Sequence, residues 1–476
     1  MASAIYAEAV IAETEAVLGA LERLLVEAVA RDGRTLVSVT IPVEIEDPSA
    51  AVFASRLAGD RWFCWEQPDR DGFALAGLGS AHEAVSRGSG RFADLTRECA
   101  AIGRDRLFDE PGGLPTGAGP VWTGGFAFAG DGGATPAWSS FPPGLLVLPE
   151  LSLVRTGEDT LLTLSAIAGA DEDPAEVLGR CGRRLAGLRA GPLPLLDPHP
   201  AAREARIESA VAPERYEEIV AAATERIRAG ELEKVVLARE VRVEASAAHD
   251  PAAVFGALRE LFPACFCFCV GTPEGAFLGA SPELLVRRRG AGAATVALAG
   301  STRRSADPAV DDHLAEQLMR SAKDRSEQEI VARRIERVLA PHSVWVEAAA
   351  EPSLVKVANI QHLATPIHAQ LAEPRSAIEL AELLHPTPAV GGEPRADALA
   401  VIGELEALDR GWYAGPVGWM DATEDGELCV AIRSALLRDR TAHLYAGNGI
   451  VAESDPAAEL AETEVKLGAL LPLLAG

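Results

Sequence analysis

A chain of 476 residues with 48% hydrophobic side chains can bury a large core, which excludes a mainly disordered protein and leaves two ordinary domains or one oversized fold. A formal net charge of -26 repels nucleic-acid phosphates and anionic lipid headgroups, so neither is expected as a partner, and any anionic substrate has to meet a local cation. Seven cysteines, an odd number in a long chain, make no disulfide framework and point to a reducing compartment, with the cytoplasm as the expected location.

Residues 1–32 are rich in Ala, Leu and Glu at helical spacing and lack the positive start and apolar centre of a signal peptide. No apolar run approaches the roughly 20 residues that span a bilayer. Strands are predicted at 35–45, around 61–65 and in a Gly-rich stretch at 122–130. A hairpin of 144–154 and 160–166 follows, turning at Thr156-Gly157-Glu158-Asp159, and then a helix through Leu188. Pro192, Pro194, Pro198 and Pro200 can continue neither helix nor central strand. A boundary is placed there, giving an N-terminal α+β portion at 1–190, a Pro-rich connection at 191–212 and a catalytic region at 213–476. Helices predicted at 213–229, 311–339, 393–408 and 456–471 alternate with groups of strands rather than single ones, the ordering of an α+β fold with antiparallel sheets.

In Leu232-Glu233-Lys234-Val235-Val236-Leu237-Ala238 the alternation turns Lys234 the same way as Leu232 and Val236, onto the face expected to be buried. Burial disfavours an ammonium, which makes Lys234 a candidate general base; the alternative is a lysine near a strand end that reaches water. Phe277-Leu278-Gly279-Ala280-Ser281-Pro282-Glu283-Leu284-Leu285-Val286 sets one carboxylate in an apolar strand. A buried carboxylic acid that stays protonated near neutrality is a general acid; the alternative is a pair with Arg287 or Arg288.

Glu327 lies beside the apolar stripe of the 311–339 helix, and Glu459, Glu462 and Lys466 follow i, i+3 and i+7 on one face of the last helix. Carboxylates from two helices make an oxygen-rich site suited to magnesium. The alternative is two solvated faces, with pairs such as Lys323 with Glu327 and Glu462 with Lys466. Gly447-Asn448-Gly449-Ile450-Val451-Ala452 has the glycines of a dinucleotide loop but no room for the rest of that unit, and is expected to be a loop whose N–H groups bind an anion. Cys265, Cys267 and Cys269 alternate with Phe266 and Phe268 and lack a second ligand pair at zinc spacing, so a buried strand is expected. A serine-hydrolase elbow, a P-loop and an HExxH helix are absent.

The wording and order of these segments resemble the chorismate-binding family, which includes isochorismate, salicylate, anthranilate and aminodeoxychorismate synthases. The resemblance runs through Glu233-Lys234-Val235-Val236-Leu237-Ala238-Arg239, Ser281-Pro282-Glu283-Leu284-Leu285, Leu298-Ala299-Gly300-Ser301 and Lys323-Asp324-Arg325-Ser326-Glu327. It continues in Gln361-His362-Leu363, His385-Pro386-Thr387-Pro388-Ala389-Val390-Gly391-Gly392, Ala431-Ile432-Arg433 and Glu462-Thr463-Glu464-Val465-Lys466-Leu467, so it covers a little over half the chain. It implies the family's α+β fold, in which two stacked halves carry large antiparallel sheets with helices on the outside, and one active site in the C-terminal region.

The resemblance also implies chorismate as substrate and magnesium as cofactor. Lys234 resembles the base that activates water for attack at C2, and Glu283 the acid that protonates the departing C4 hydroxyl. Glu327, Glu462 and Glu459 resemble magnesium ligands. Arg433 and Tyr413 resemble the pair holding the enolpyruvyl carboxylate, with Gly447 and Lys466 at the other acidic end, His362 beside the ring, and Gly300 and Ser301 in a substrate-binding motif.

Members that add ammonia, such as anthranilate synthases, replace the lysine at the position of Lys234 and need a glutaminase partner. Lys234 therefore implies water as nucleophile and an isochorismate synthase (an isomerase), with no glutaminase partner; a monomer is expected. Salicylate synthases keep Lys234 and Glu283 and eliminate pyruvate from the same intermediate; they are the alternative, with a non-catalytic chorismate-binding homologue behind them. The run Asp409-Arg410-Gly411-Trp412-Tyr413-Ala414-Gly415-Pro416-Val417-Gly418-Trp419 resembles the isochorismate synthases of menaquinone synthesis more than the siderophore ones.

Overall fold

A computed structural model describes residues 2–196, 205–357 and 360–475, with side chains from residue 15 onward. Pro198 and Pro200 of the predicted connection lie outside the described residues. Among the described residues, two large sheets, of 13 and 10 strands, carry the chain. The first runs from Lys234–Glu244 through Thr441–Ile450, Ser434–Arg438, Gly275–Ser281 and Phe266–Thr272 to Trp62–Gln67, Phe73–Leu78, Leu151–Thr156, Asp159–Ala168 and Thr35–Val43. The second runs from Ser343–Ala348 through Ile360–Leu371, Gly292–Arg303, Leu284–Arg289, Gly426–Val430 and Pro416–Asp421 to Val121–Phe126, Gly144–Leu148 and His82–Ser86. Among the described residues, neighbouring strands are antiparallel except Thr35–Val43 with Leu107–Asp109.

Strands from both sides of the Pro-rich stretch meet inside each sheet. Cys269 pairs with Cys64 in the first, and Gly418 with Gly124 in the second. The main core lies between the sheets and draws Leu237, Phe268 and Phe277 from one and Val286, Leu428 and Trp419 from the other. Strands buried on both faces explain the unbroken apolar runs. Phe266–Thr272 sends Cys267 and Cys269 into a second core under the Pro251–Leu261 helix, where Cys265, just before the strand, joins them, while Phe266 and Phe268 enter the main one. All seven cysteines are free and buried. No helix among the described residues is long and apolar enough to cross a membrane.

Five predicted elements are corrected. The 277–286 strand is two, Gly275–Ser281 in the first sheet and Leu284–Arg289 in the second, and Glu283 lies in neither because the chain changes sheets at Pro282-Glu283. The 144–154 strand is two strands in different sheets, Gly144–Leu148 and Leu151–Thr156, because the chain crosses between sheets at Pro149-Glu150. The 311–339 helix is two, Pro308–Arg320 and Ala322–Leu339; Ser321 leaves helical geometry and its side chain accepts from Asp324 N as the N-cap of the second. The last helix stops at Leu467, and Leu471–Ala475 follows as a separate turn. Gly447-Asn448-Gly449-Ile450 is not a loop. It is the end of the Thr441–Ile450 strand, with Ala238 opposite Gly447 and Val236 opposite Gly449, so the strand ladder occupies that backbone instead of leaving it to bind an anion.

Candidate active site

The site forms where the chain passes from one sheet to the other. Gly275–Ser281 ends in the first sheet and Leu284–Arg289 begins in the second, which leaves Pro282-Glu283 in the crossing. Gly426–Val430 and Ser434–Arg438 cross back, leaving Ala431-Ile432-Arg433 between them, with Arg433 at a φ of 52°. A cavity between the crossings is lined by Glu283, Gly300, Ser301, Glu327, His362, Tyr413, Arg433, Gly447, Glu459, Glu462 and Lys466. Every residue expected at the site therefore faces one space, except Lys234.

Lys234 is fully buried one layer behind the wall. Its Nζ lies 2.8 Å from Glu327 Oε1 and it underlies Gly449, where a Cβ would stand 2.6 Å from its Cε. The glycine keeps the strand thin enough for the lysine to approach the cavity from behind. Glu283 is 3% exposed, and burial pushes its carboxyl up to about 8, against the smaller downward pull of Lys234 and the Thr387 hydroxyl. It pairs with neither expected arginine. Arg287 is bound to Glu427, and Arg288 to Asp425 at 2.7 Å.

The acidic side has its own order. Burial alone would raise the Glu462 carboxyl, but Lys466 at 2.9 Å, the Ser301 hydroxyl at 2.8 Å and Lys323 outweigh it and hold the group at about 2. Glu459, 2% exposed, accepts from Ser454 Oγ at 2.7 Å and Asn448 Nδ2 at 3.0 Å. Lys323 does not pair with Glu327; it reaches across to Glu459 Oε1 at 3.2 Å. Burial disfavours its ammonium, yet Glu459, Glu327 and Glu462 together raise its affinity for the proton above the ordinary value. Three carboxylates thus focus on one cation.

Asp324, inside a motif quoted above but not singled out, lines the same cavity, and burial followed by the charges of Glu327 and Glu462 raises its carboxyl. Its spacing, three residues before Glu327 on one helix face, was the available signal. Among the described residues no three carboxylate, imidazole or thiol groups converge on one point, and Glu327, Glu459 and Glu462 are each paired with a different lysine. The donors are nonetheless all hard oxygens, and a lysine ammonium marks where their charges sum, which fits a magnesium ion taking one or two carboxylates, water and substrate oxygen.

Beside these carboxylates the lining turns cationic and aromatic. Arg433 donates to Lys466 O at 3.2 Å and reaches His362 Nε2 at 3.5 Å. Burial, with the charges of Arg433 and Lys466, drives His362 down to about 3, so the ring is neutral and can accept from that guanidinium. Lys466 Nζ donates to Gly447 O at 3.0 Å and Asn448 Oδ1 at 2.7 Å. Tyr413 stacks on Tyr445 with centroids 5.2 Å apart, and burial raises its hydroxyl to about 12. Gly300, at a φ of 72°, sits at a bulge between Ala299 and Ser301, where a Cβ would come within 2.9 Å of Asp324 Cβ. The bulge lets the Ala322–Leu339 helix bring its carboxylates to the sheet.

The family model described as "Chorismate binding enzyme" matches residues 23–475. The chain is 35% identical over 455 residues to the salicylate biosynthesis isochorismate synthase of Pseudomonas aeruginosa, covering 96% of this chain and 93% of that one. It is 32% identical over 450 residues to the isochorismate synthase MenF of Bacillus subtilis, covering 93% and 94%. Among solved structures, the menaquinone-specific isochorismate synthase MenF from Escherichia coli superposes with a TM-score of 0.77 at 28% identity, over 96% of this chain and 99% of that one. Anthranilate synthase component I from Streptococcus pneumoniae, at 21% identity and a TM-score of 0.64 over 84% and 92%, shares the fold. The two crossed sheets, the acid in their crossing and the match over nearly its whole length make this chain a member of the chorismate-binding enzyme family.

Proposed function

We propose that the protein is an isochorismate synthase, which isomerises chorismate by adding water at C2 while the C4 hydroxyl leaves as water and the ring double bonds shift between them. The observation that carries this reading is Glu283, a buried carboxyl held up to about 8 at the wall of a cavity whose other walls supply cations for a dianion. Protonated at neutral pH, it can give its proton to the leaving hydroxyl. Lys234, behind the floor of the cavity, is the group assigned to take a proton from the incoming water. Arg433, with neutral His362 beside it, and Tyr413 would hold one substrate carboxylate, and Lys466 lies toward the other acidic end.

Magnesium is part of the proposal. Glu327, Glu459 and Glu462, with Asp324 beside them, would hold it, and the ion would supply positive charge for an anionic substrate oxygen. Glu327 pairs with Lys234 in the present arrangement, so its engagement elsewhere would leave the lysine Nζ free. Full-length likeness to MenF proteins supports a place in menaquinone synthesis, while the Pseudomonas relative's name points to salicylate; isochorismate is the product both names share.

The test is incubation of purified protein with chorismate, with and without magnesium and an ammonium salt, and separation of products by chromatography with mass detection. Isochorismate formed only with magnesium is expected. Salicylate with pyruvate would move the assignment to a salicylate synthase, and an aminated product would overturn the water assignment.

A further inference from the structure

The Lys234–Glu244 strand pairs with Thr441–Ile450 along one edge, from Val235 opposite Ile450 to Glu244 opposite Thr441. Its other edge is covered by backbone only in pieces. Gly392–Glu393 pairs with Val235 and Lys234, Val236 N donates to Gly391 O, and Arg206–Ser209 resumes the ladder from Val241 onward. Between these pieces no strand among the described residues lies beside the Val236 carbonyl and the Ala238 amide, and a buried backbone group without a partner is costly.

One side-chain pair meets both. Arg410 Nη2 donates to Val236 O at 2.8 Å, and Glu406 Oε1 accepts from Ala238 N at 2.6 Å. The pair is closed by Arg410 Nε donating to Glu406 Oε2 at 2.9 Å and by Nη2 to Glu406 Oε1. Arg410 Nη1 reaches Val390 O at 3.0 Å, in the 385–391 loop that also places Thr387 beside Glu283. Four N–H donors of the guanidinium are committed in this way, and Phe128 covers its face with the ring centroid 4.2 Å away. The side chains are 4% and 1% exposed. A buried ion pair is weak evidence of stability for its own sake. One that fills a gap in a strand edge two residues from Lys234, and ties that edge to the loop beside Glu283, has a more specific use.

We infer that Arg410 and Glu406 are positioning residues: together they replace the missing stretch of edge strand and fix the Lys234 strand and the 385–391 loop relative to each other, so that Lys234 and Glu283 keep the spacing their proposed roles require. This rests on the roles proposed above for Lys234 and Glu283. A lysine at 410 keeps the charge but lacks the planar fork, so it cannot reach both carbonyls and the carboxylate at once.

The test uses the full chain with Arg410→Ala and Arg410→Lys. Both are expected to lower kcat about 100-fold with KM for chorismate little changed, the cost of a misplaced catalytic group. Millimolar guanidinium is expected to restore turnover to Arg410→Ala and not to Lys234→Ala. A raised KM at unchanged kcat would make Arg410 a substrate ligand, and a lowered melting temperature at unchanged kcat would make the pair a fold element only; either overturns the inference. Should Arg410→Ala fail to fold, Arg410→Lys decides by the same split. Hydrogen exchange of the 234–240 segment separates this inference from the functional one, because it needs no turnover. Faster exchange in Arg410→Lys is expected whatever the wild-type protein makes from chorismate, and exchange at the wild-type rate overturns it.

Discussion

The Lys234 ammonium lies 2.8 Å from Glu327 Oε1, with the lysine side chain wholly buried and the glutamate 13% exposed. One member of this pair is the assigned base and the other an assigned metal ligand, so the same carboxylate stands between the base and the cavity. Lys234→Ala removes the base and leaves Glu327 without its nearest cation. Turnover is expected to fall by about 100-fold or more, and stability by about 3 kcal/mol. Steady-state kinetics and denaturant melts check both; wild-type turnover in the variant would sink the base assignment.

Glu283 sets the alkaline limit. Its carboxyl, at about 8, must carry a proton to act as acid, so kcat is expected to hold near neutrality and fall as pH rises through about 8. Glu283→Gln is expected to lose about 100-fold or more in kcat together with that limb of the profile. A wild-type profile still level at pH 9.5, roughly 1.5 units beyond the limb, would contradict the assignment.

The same carboxyl links stability to pH. An unfolded carboxyl titrates near 4.5 and the folded one near 8, so between these values the folded chain holds a proton that the unfolded chain has lost. Stability from this group is complete below 4.5 and is lost as pH rises through 8. Glu283→Gln does not ionise, so its melting temperature relative to wild type is expected to climb across that window and level off above it. A difference independent of pH would show that Glu283 is not held protonated.

The proposed magnesium site and Lys323 draw on one set of carboxylates, so the ion is expected to compete with the lysine. Calorimetric titration of magnesium without substrate is expected to show tighter binding in Lys323→Met, by about tenfold, since a cation beside Glu459 is removed. Glu462→Gln is expected to bind magnesium at least about tenfold more weakly and stay folded. Overlaying isotherms for wild type and Glu462→Gln would remove Glu462 from the metal site.

Gly300→Ala tests the bulge that brings helix and sheet together. The added Cβ meets Asp324 Cβ at 2.9 Å and the backbone stays at a φ of 72°, so about 1–3 kcal/mol of destabilisation is expected in thermal melts. Stability unchanged from wild type would mean that the helix is free to shift.

Much of the site was legible because the chemistry lies in short runs. Alternation turned Lys234 inward, one carboxylate in an apolar run marked Glu283, and helical spacing put Glu459, Glu462 and Lys466 together. What alternation cannot show is depth: Lys234 is a layer behind the wall, a matter of Gly449 on the neighbouring strand. Nor can it show pairing across elements: helical spacing offers Lys323 a partner in Glu327 on its own helix, while the fold gives it Glu459 of another. The Gly447 segment misled because glycines signal loops locally, while here they let a lysine and a carboxylate press against a strand. The α+β class followed from the grouping of strands, but the interleaving of both halves in each sheet rests on contacts such as Cys64 with Cys269, more than 200 residues apart, which local patterns do not encode.

The most direct test of the central claim is the reaction in water enriched in oxygen-18, with magnesium and chorismate, followed by the mass of the isochorismate formed. Attack by water at C2 with departure of the C4 hydroxyl requires one labelled oxygen in the product, and in Glu283→Gln that labelled product is expected to form about 100-fold or more slowly. Unlabelled isochorismate would mean that the hydroxyl moves within the substrate, and would contradict the roles given to Lys234 and Glu283.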